Sequence, residues 1–260
     1  MGYTSCSPRR RYPSFHLHDG DVTIRPMEKR TNSGHLYIVA TPIGNIKDIT
    51  LRALDILKGV DAVICEEYRQ GSKLLHRLGI EGKDILTLNE HNEAQEAQNI
   101  AIRLNRGEDM ALISDAGTPV FADPGQHLLE LLYEMNIPIS PIPGPGSLLA
   151  ALSLCDFSID QFLFAGFPPR DTRQREKFLG RYRSERMPVI LMDTPYRLTK
   201  LLEEVISTFG REQEILLACD MTLKSEVIYR GRAGDILPKV AGQKREFILV
   251  LDLNQRKHQG

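Results

Sequence analysis

Three short stretches carry residue types that hold a ligand through close main-chain contact: Thr41-Pro42-Ile43-Gly44-Asn45, Ser114-Asp115-Ala116-Gly117-Thr118-Pro119 and Pro143-Gly144-Pro145-Gly146-Ser147. Each is rich in glycine, proline and small polar residues, so backbone amides can approach a bound molecule. None matches G-x-x-x-x-G-K-[ST] or G-x-G-x-x-G, which argues against a nucleoside triphosphate or a nicotinamide dinucleotide. Asp115 can hold an ammonium group or a ribose hydroxyl, or simply cap a turn. Glu66, Glu90 and His91 are candidate general bases, because Cys65-Glu66 ends an apolar run and Glu90-His91-Asn92 precedes a helical pattern. Each can equally be a cap or a surface residue. Arg170, Arg173, Lys177 and Arg181 recur at spacings of three, four and four, a single stripe if the segment is helical. Residues 170 to 186 hold seven Lys+Arg against three acids, a local net charge of +4. Such a stripe either contacts RNA phosphates or is an ordinary solvated face, and Gly180 weakens the helix.

The elements that must position these residues follow from periodicity. Short apolar runs at 36–41, 61–66, 84–88, 110–114 and 137–142 alternate with helical patterns, the signature of βα units around a mainly parallel sheet. Asn92 is placed to cap a helix carrying Ala97, Ile100, Ala101 and Leu104 on one face, with Gly107 beyond its end. Asp123-Pro124 is expected to open another, with Leu128, Leu131, Leu132 and Met135 on one side. The Pro141–Gly146 segment is the best boundary in the chain. Beyond it, strands are expected near 162–166, 188–193, 214–219, 226–230 and 246–252, with a helix from Thr194-Pro195 to Gly210. The expected organisation is an arm over 1–34, an α/β domain over 35–146, a second over 147–254 and a tail over 255–260. The strand ends of an open parallel sheet face one crevice, so the three glycine-rich loops can converge on a cleft between the domains.

Composition bounds the partners. With 33 Lys+Arg against 34 Asp+Glu in 260 residues, any affinity for nucleic acid must be regional. Cys6, Cys65, Cys155 and Cys219 lie far apart without a C-x-x-C pair, so they read as small buried hydrophobes, and nothing demands a metal. No apolar run approaches the roughly 20 residues that span a membrane, and the N-terminus lacks an apolar signal core, so a cytosolic protein is expected. Residues 1 to 33 lack apolar periodicity and read as a disordered arm, or as a leader ahead of a translation start at Met27.

The segments LYIVATPIGNIKDITLRALDILK, ALISDAGTPVFADPG, IPGPGSLLAAL, FLFAGFPPRDTRQR and TPYRL together resemble the tetrapyrrole-methylase superfamily of S-adenosylmethionine (SAM) methyltransferases. Within it they are most similar to the small-subunit ribosomal RNA cytidine-2′-O-methyltransferase family, over roughly residues 36 to 252. That resemblance implies two α/β domains with SAM in the cleft between them, usually in a homodimer, and small-subunit ribosomal RNA or the 30S subunit as partner. It implies Pro42 beneath the cofactor, Asp115, Ala116, Gly117, Thr118 and Pro119 around its methionine part, and Gly144, Gly146 and Ser147 near its adenosyl side. Leu191, Met192 and the segment from Cys219 to Thr222 would come from the second domain.

This chain departs from the family pattern on the side expected to face the acceptor. Glu66-Glu67-Tyr68-Arg69 stands where the family usually has Glu-Asp-Thr-Arg, and Val120-Phe121-Ala122 where it has Gly-Ile-Ser. Asp193-Thr194-Pro195-Tyr196-Arg197 replaces Glu-Ser-Pro-His-Arg, and Asp220-Met221-Thr222-Leu223 replaces Glu-Leu-Thr-Lys. The resemblance therefore implies a SAM-dependent RNA ribose methyltransferase. A methylase of a tetrapyrrole or other small molecule, or a SAM-binding protein without catalysis, are the alternatives.

Overall fold

The computed structural model describes residues 33–121 and 123–254. The readings for residues 1–32, Ala122 and the tail 255–260 lie outside the described residues. The first half of the chain forms strands β1 (Leu36–Val39), β2 (Ala62–Cys65), β3 (Asp84–Thr87), β4 (Met110–Ile113) and β5 (Ile139–Ile142). Between them lie helices α1 (Leu51–Gly59), α2 (Tyr68–Arg77), α3 (Glu93–Asn105) and α4 (Gln126–Glu134). The strands pair in parallel in the order β3-β2-β4-β1-β5. The chain runs outward to β3 and returns inward to β4, so the loops leaving β1 and β4 emerge side by side.

Alternation along the strands sends side chains to two cores. Ile64, Met110 and Leu112 pack with Ala97, Ile100, Ala101 and Leu104 of α3 and Leu128 and Leu132 of α4. Val63, Cys65, Ala111 and Ile113 pack on the other face with Ala53 and Leu57 of α1 and Leu75 of α2. Both faces are covered, which is why these strands are continuous apolar runs.

The second half adds α5 (Ser147–Leu152), β6 (Leu163–Gly166), α6 (Thr172–Gly180), β7 (Val189–Met192), α7 (Leu198–Phe209), β8 (Glu214–Cys219), β9 (Val227–Arg232), α8 (Ala233–Val240) and β10 (Phe247–Leu251). Its sheet runs β6-β7-β10-β8-β9, with β6 and β7 parallel and the other three pairings antiparallel. The last strand inserts between β7 and β8, giving a mixed sheet. Leu198, Leu201, Leu202 and Val205 of α7 are fully buried against one face. Each is worth about 1.5–3 kcal/mol of transfer free energy.

Three local expectations differ from the structure. Gly34, assigned to the arm, is buried, and its N–H donates to the Leu104 carbonyl. A Cβ on Gly34 would sit 1.8 Å from the Glu108 carbonyl oxygen, so no other residue fits there. Helix α4 begins at Gln126, later than Asp123-Pro124, because Gly125 at φ 128° cannot be helical. Met135 is exposed and lies beyond that helix. Asn92 occupies the cap position of α3, but its side chain turns back, with Oδ1 accepting from Asn89 N and Nδ2 donating to the Thr87 carbonyl.

Candidate active site

The loops after β1, β4 and β5 are fastened to one another. Thr41 and Gly117 exchange both backbone hydrogen bonds, at 2.8 and 3.1 Å, and the buried Thr41 hydroxyl donates to the Ser114 carbonyl at 3.0 Å. Thr118 Oγ1 donates to the Pro145 carbonyl at 3.4 Å. The first loop also reaches the second half, since Asn45 N donates to Thr222 Oγ1 at 2.9 Å. Thr222 takes φ 66° and Asp220 takes φ 49°, so the segment after β8 turns sharply toward Gly44. Asp220 is held there by Arg245 Nη1 at 2.8 Å and by the Glu246 amide.

Together these segments enclose a cleft of about 270 Å³. Ile43, Ala116 and Ser147 line it from the first half; Met192, Ala218, Asp220, Met221, Leu223, Glu246, Phe247 and Ile248 line it from the second. Apolar side chains form most of the wall, with Ser147, Asp220 and Glu246 as its polar points. A smaller recess of about 170 Å³ is lined by Pro42, Ile43, Gly44, Ile46, Gln70, Lys73, Leu74, Arg77, Asp115 and Ala116. Ile43 and Ala116 are common to both, so the two spaces adjoin across these residues.

The residues singled out in the sequence fall into three groups. Ala116, Ser147 and Met192 line the cleft, and Pro42 and Asp115 line the adjoining recess. Gly117, Thr118, Pro119, Gly144, Gly146 and Thr222 belong to the loops that shape it. Leu191 faces away: its side chain is fully buried with α7 on the opposite side of the sheet from Met192, as strand alternation requires.

The acids gather at the strand ends beside the recess. Burial raises the carboxyl of Glu66, and Asp115, Asp123, Glu90 and Glu67 add to the effect. Burial likewise raises Asp115, with contributions from Glu67 and Asp123. Glu90 and His91 are exposed in the turn before α3, outside the cleft lining, and the His91 amide is taken by Asn89 Oδ1. Glu66 also lines neither the cleft nor the recess; it lies near Asp115, which lines the recess.

The basic stripe is partly helical. Arg173 and Lys177 lie on α6; Arg170 precedes it and Arg181 follows it, while Asp171 Oδ1 caps it by accepting from Gln174 N. All four cations are exposed. Arg175 of the same segment is buried, paired with Asp193 at 2.8 Å and Glu204 at 2.7 Å, so one of the seven charges is spent inside the protein. Sequence reasoning missed Lys73 and Arg77, whose spacing with Arg69 repeats every four residues along α2. It also missed the cleft wall supplied by Phe247 and Ile248.

Comparison with known proteins bears on this arrangement. The family model described as Tetrapyrrole (Corrin/Porphyrin) Methylases matches residues 35–237. A protein of Escherichia coli O157:H7 named "Ribosomal RNA small subunit methyltransferase I" is 36% identical, covering 85% of this chain and 78% of its own. Proteins of the same name from Synechocystis and Pseudomonas aeruginosa are 38% and 39% identical, covering 84% and 76% of this chain and 78% and 70% of their own. Among solved structures, the uroporphyrin-III-C-methyltransferase of Thermus thermophilus superposes with a TM-score of 0.60 at 19% identity, over 85% of this chain and 94% of that one. A diphthine synthase superposes with a TM-score of 0.67 at 14% identity, over 84% and 89%. The two structural likenesses concern the fold.

Proposed function

Because this chain belongs to the tetrapyrrole methylase family, we propose that it is a SAM-dependent methyltransferase acting on a ribose 2′-hydroxyl, that of a cytidine in small-subunit ribosomal RNA. The observation that carries the reading is the convergence of three strand-end loops on one mostly apolar cleft, in a chain whose relatives are named as ribosomal RNA methyltransferases.

The residues present fit the cofactor. Its adenosyl part needs an apolar wall, supplied by Ile43, Met192, Ala218 and Ile248, and its ammonium and ribose hydroxyls need acceptors, supplied by Ser147 and Asp220 in the cleft and by Asp115 where the recess adjoins it. Gly117 takes φ 89°, a conformation that glycine adopts without strain, and this lets the loop after β4 turn toward Thr41. When bound, SAM supplies a methyl group on a sulfonium centre, ready for in-line displacement. The chain's part is to position and to exclude water: Leu223, Phe247 and Met221 close the wall, and the hydrogen-bonded loops hold its shape. The acceptor hydroxyl must lose its proton, and Glu66, raised by burial and by the acids around it, is suited to take it.

Arg170, Arg173, Lys177 and Arg181 serve as an outer surface for the RNA, and the chain works as a homodimer in the cytoplasm with ribosomal subunits. No described helix is long and apolar enough to cross a membrane. The test is methyl transfer from labelled SAM to 30S subunits that lack the modification, with mass spectrometry of nuclease fragments to locate the group. Label on a single ribose is expected. Transfer to a tetrapyrrole, or tight SAM binding without transfer to ribosomal RNA, would overturn the reading. Light scattering at several concentrations tests the dimer.

A further inference from the structure

Helix α2 buries Gly71 and Leu75 against the first sheet and exposes Arg69, Gln70, Lys73 and Arg77. Lys73 and Arg77, one turn apart, line the recess that shares Ile43 and Ala116 with the cleft. Arg103, Arg175, Arg230, Arg232 and Arg245 each have a carboxylate within 2.6–2.9 Å. Lys73 and Arg77 have no ion pair among the described residues. Two uncompensated cations thus lie one wall away from where the methyl group would be presented.

We infer that this recess is the acceptor-strand site, and that Lys73 and Arg77 hold the phosphodiester next to the ribose that is methylated. The inference rests on the ribosomal RNA reading above and names the contact that would place the RNA. A 2′-hydroxyl sits on the ring carbon next to the one bearing the 3′-phosphodiester of the same nucleotide. Fixing that phosphate on the recess side of Ile43 and Ala116 therefore keeps the hydroxyl near the wall that the recess shares with the cleft. The distribution of charge agrees. Asp115 lines one end of the recess, with Glu66, Glu67 and Asp123 close to it, and repels a polyanion there, whereas Lys73 and Arg77 line it from further along α2 and attract one. Gln70, between the acids and the cations, offers an amide to the sugar or base. At about 170 Å³ the recess has room for a sugar-phosphate unit. The exposed cations around α6 line neither space, so their contribution is to affinity, while that of the α2 pair is to placement.

The two roles separate in kinetics. Lys73→Ala/Arg77→Ala should bind S-adenosylhomocysteine within twofold of the unaltered chain by calorimetry. With 30S subunits its kcat/KM should fall about 100-fold, with a lower single-turnover rate even at saturating RNA, as expected for a misplaced acceptor. The logarithmic salt slope of RNA binding should flatten by about 0.7–0.9 per lost contact. Arg170→Ala/Arg173→Ala should raise KM and leave the saturated rate unchanged. Lys73→Arg with Arg77→Lys should recover most of the rate, which a change in folding alone would not produce. A double alanine variant with normal S-adenosylhomocysteine affinity, saturated rate and salt slope would overturn the site while leaving the RNA reading intact. Failure of the unaltered chain to methylate ribosomal RNA would overturn that reading and this site with it.

Discussion

Val120 takes φ 69°, a left-handed conformation that costs a β-branched residue about 1–2 kcal/mol, at the position where the resembling family usually has glycine. The structure holds it there because the loop after β4 must turn toward Gly125, whose ideal Cβ would lie 3.2 Å from Val120 Cγ2 and 3.3 Å from Leu112 Cδ2. Gly125→Ala should therefore destabilise the chain by more than the roughly 1–2 kcal/mol of backbone strain alone. In a Val120→Gly background the cost should shrink by at least about 0.5 kcal/mol, because one of the two clashing atoms is gone. Urea melts of the four chains measure this, and equal costs in both backgrounds would show that the contact is not felt. The acids give a second test. Burial raises Glu66, Asp115 and Asp123, so the folded state retains protons that the unfolded chain has released, and stability rises as pH falls through the window between the ordinary and raised values. Glu66→Gln should raise the melting temperature at neutral pH, with the gain vanishing in acid where both chains are uncharged at that site. The same change should abolish methyl transfer; a fully active variant would remove Glu66 as the base. Residue types disclosed the acids and the glycine loops, but no local pattern says that Arg175 points inward while Lys73 and Arg77 line a recess.

At the scale of elements, α6 is tied to α7 and to the end of β7 through one side chain. Arg175 donates to Glu204 through Nε at 2.7 Å, to Asp193 through Nη1 at 2.8 Å and to the Pro169 carbonyl at 3.2 Å. Asp193 in turn accepts from the Thr194 amide and follows Met192, which lines the cleft. Removing the cation leaves two carboxylates with little solvent. Arg175→Met should cost about 3–5 kcal/mol, as breaking a buried pair does, at roughly 2–4 °C of melting temperature for each kcal/mol. Arg173→Met, two residues away on the exposed face of the same helix, should cost almost nothing, and a similar loss in both would contradict the assignment. The start of α4 shows why such couplings escape sequence reading. Its first free amides, those of Gly125 and His127, are capped by Glu93 Oε1 of α3, so the cap is long-range and the local Asp123-Pro124 signal is overridden.

For the molecule as a whole, most of the strands among the described residues were legible as short apolar runs bounded by turn residues, and the parallel direction of the first sheet follows from its alternating helices. The second sheet was less so, because nothing near 246–252 announces that the last strand will pair antiparallel with both β7 and β8. That insertion is what brings Glu246, Phe247 and Ile248 to the cleft beside Met192 and Ala218, and it makes the cleft depend on both sheets. The halves already touch through Asn45 with Thr222 and through the Phe121 and Phe164 rings, 4.8 Å apart at their centroids. A ligand lodged in this cleft should therefore stabilise the two halves together. At 100 times its Kd, S-adenosylhomocysteine should add about 2.7 kcal/mol to the free energy of unfolding. At roughly 2–4 °C for each kcal/mol, the melting temperature should rise by about 5–11 °C. Hydrogen exchange should slow in both sets of walls, the loops at 41–45 and 114–119 on one side and the segments at 218–223 and 246–248 on the other. Protection confined to the first set would mean that the donor rests on the parallel sheet alone, and the cleft as drawn from the two halves would lose its role.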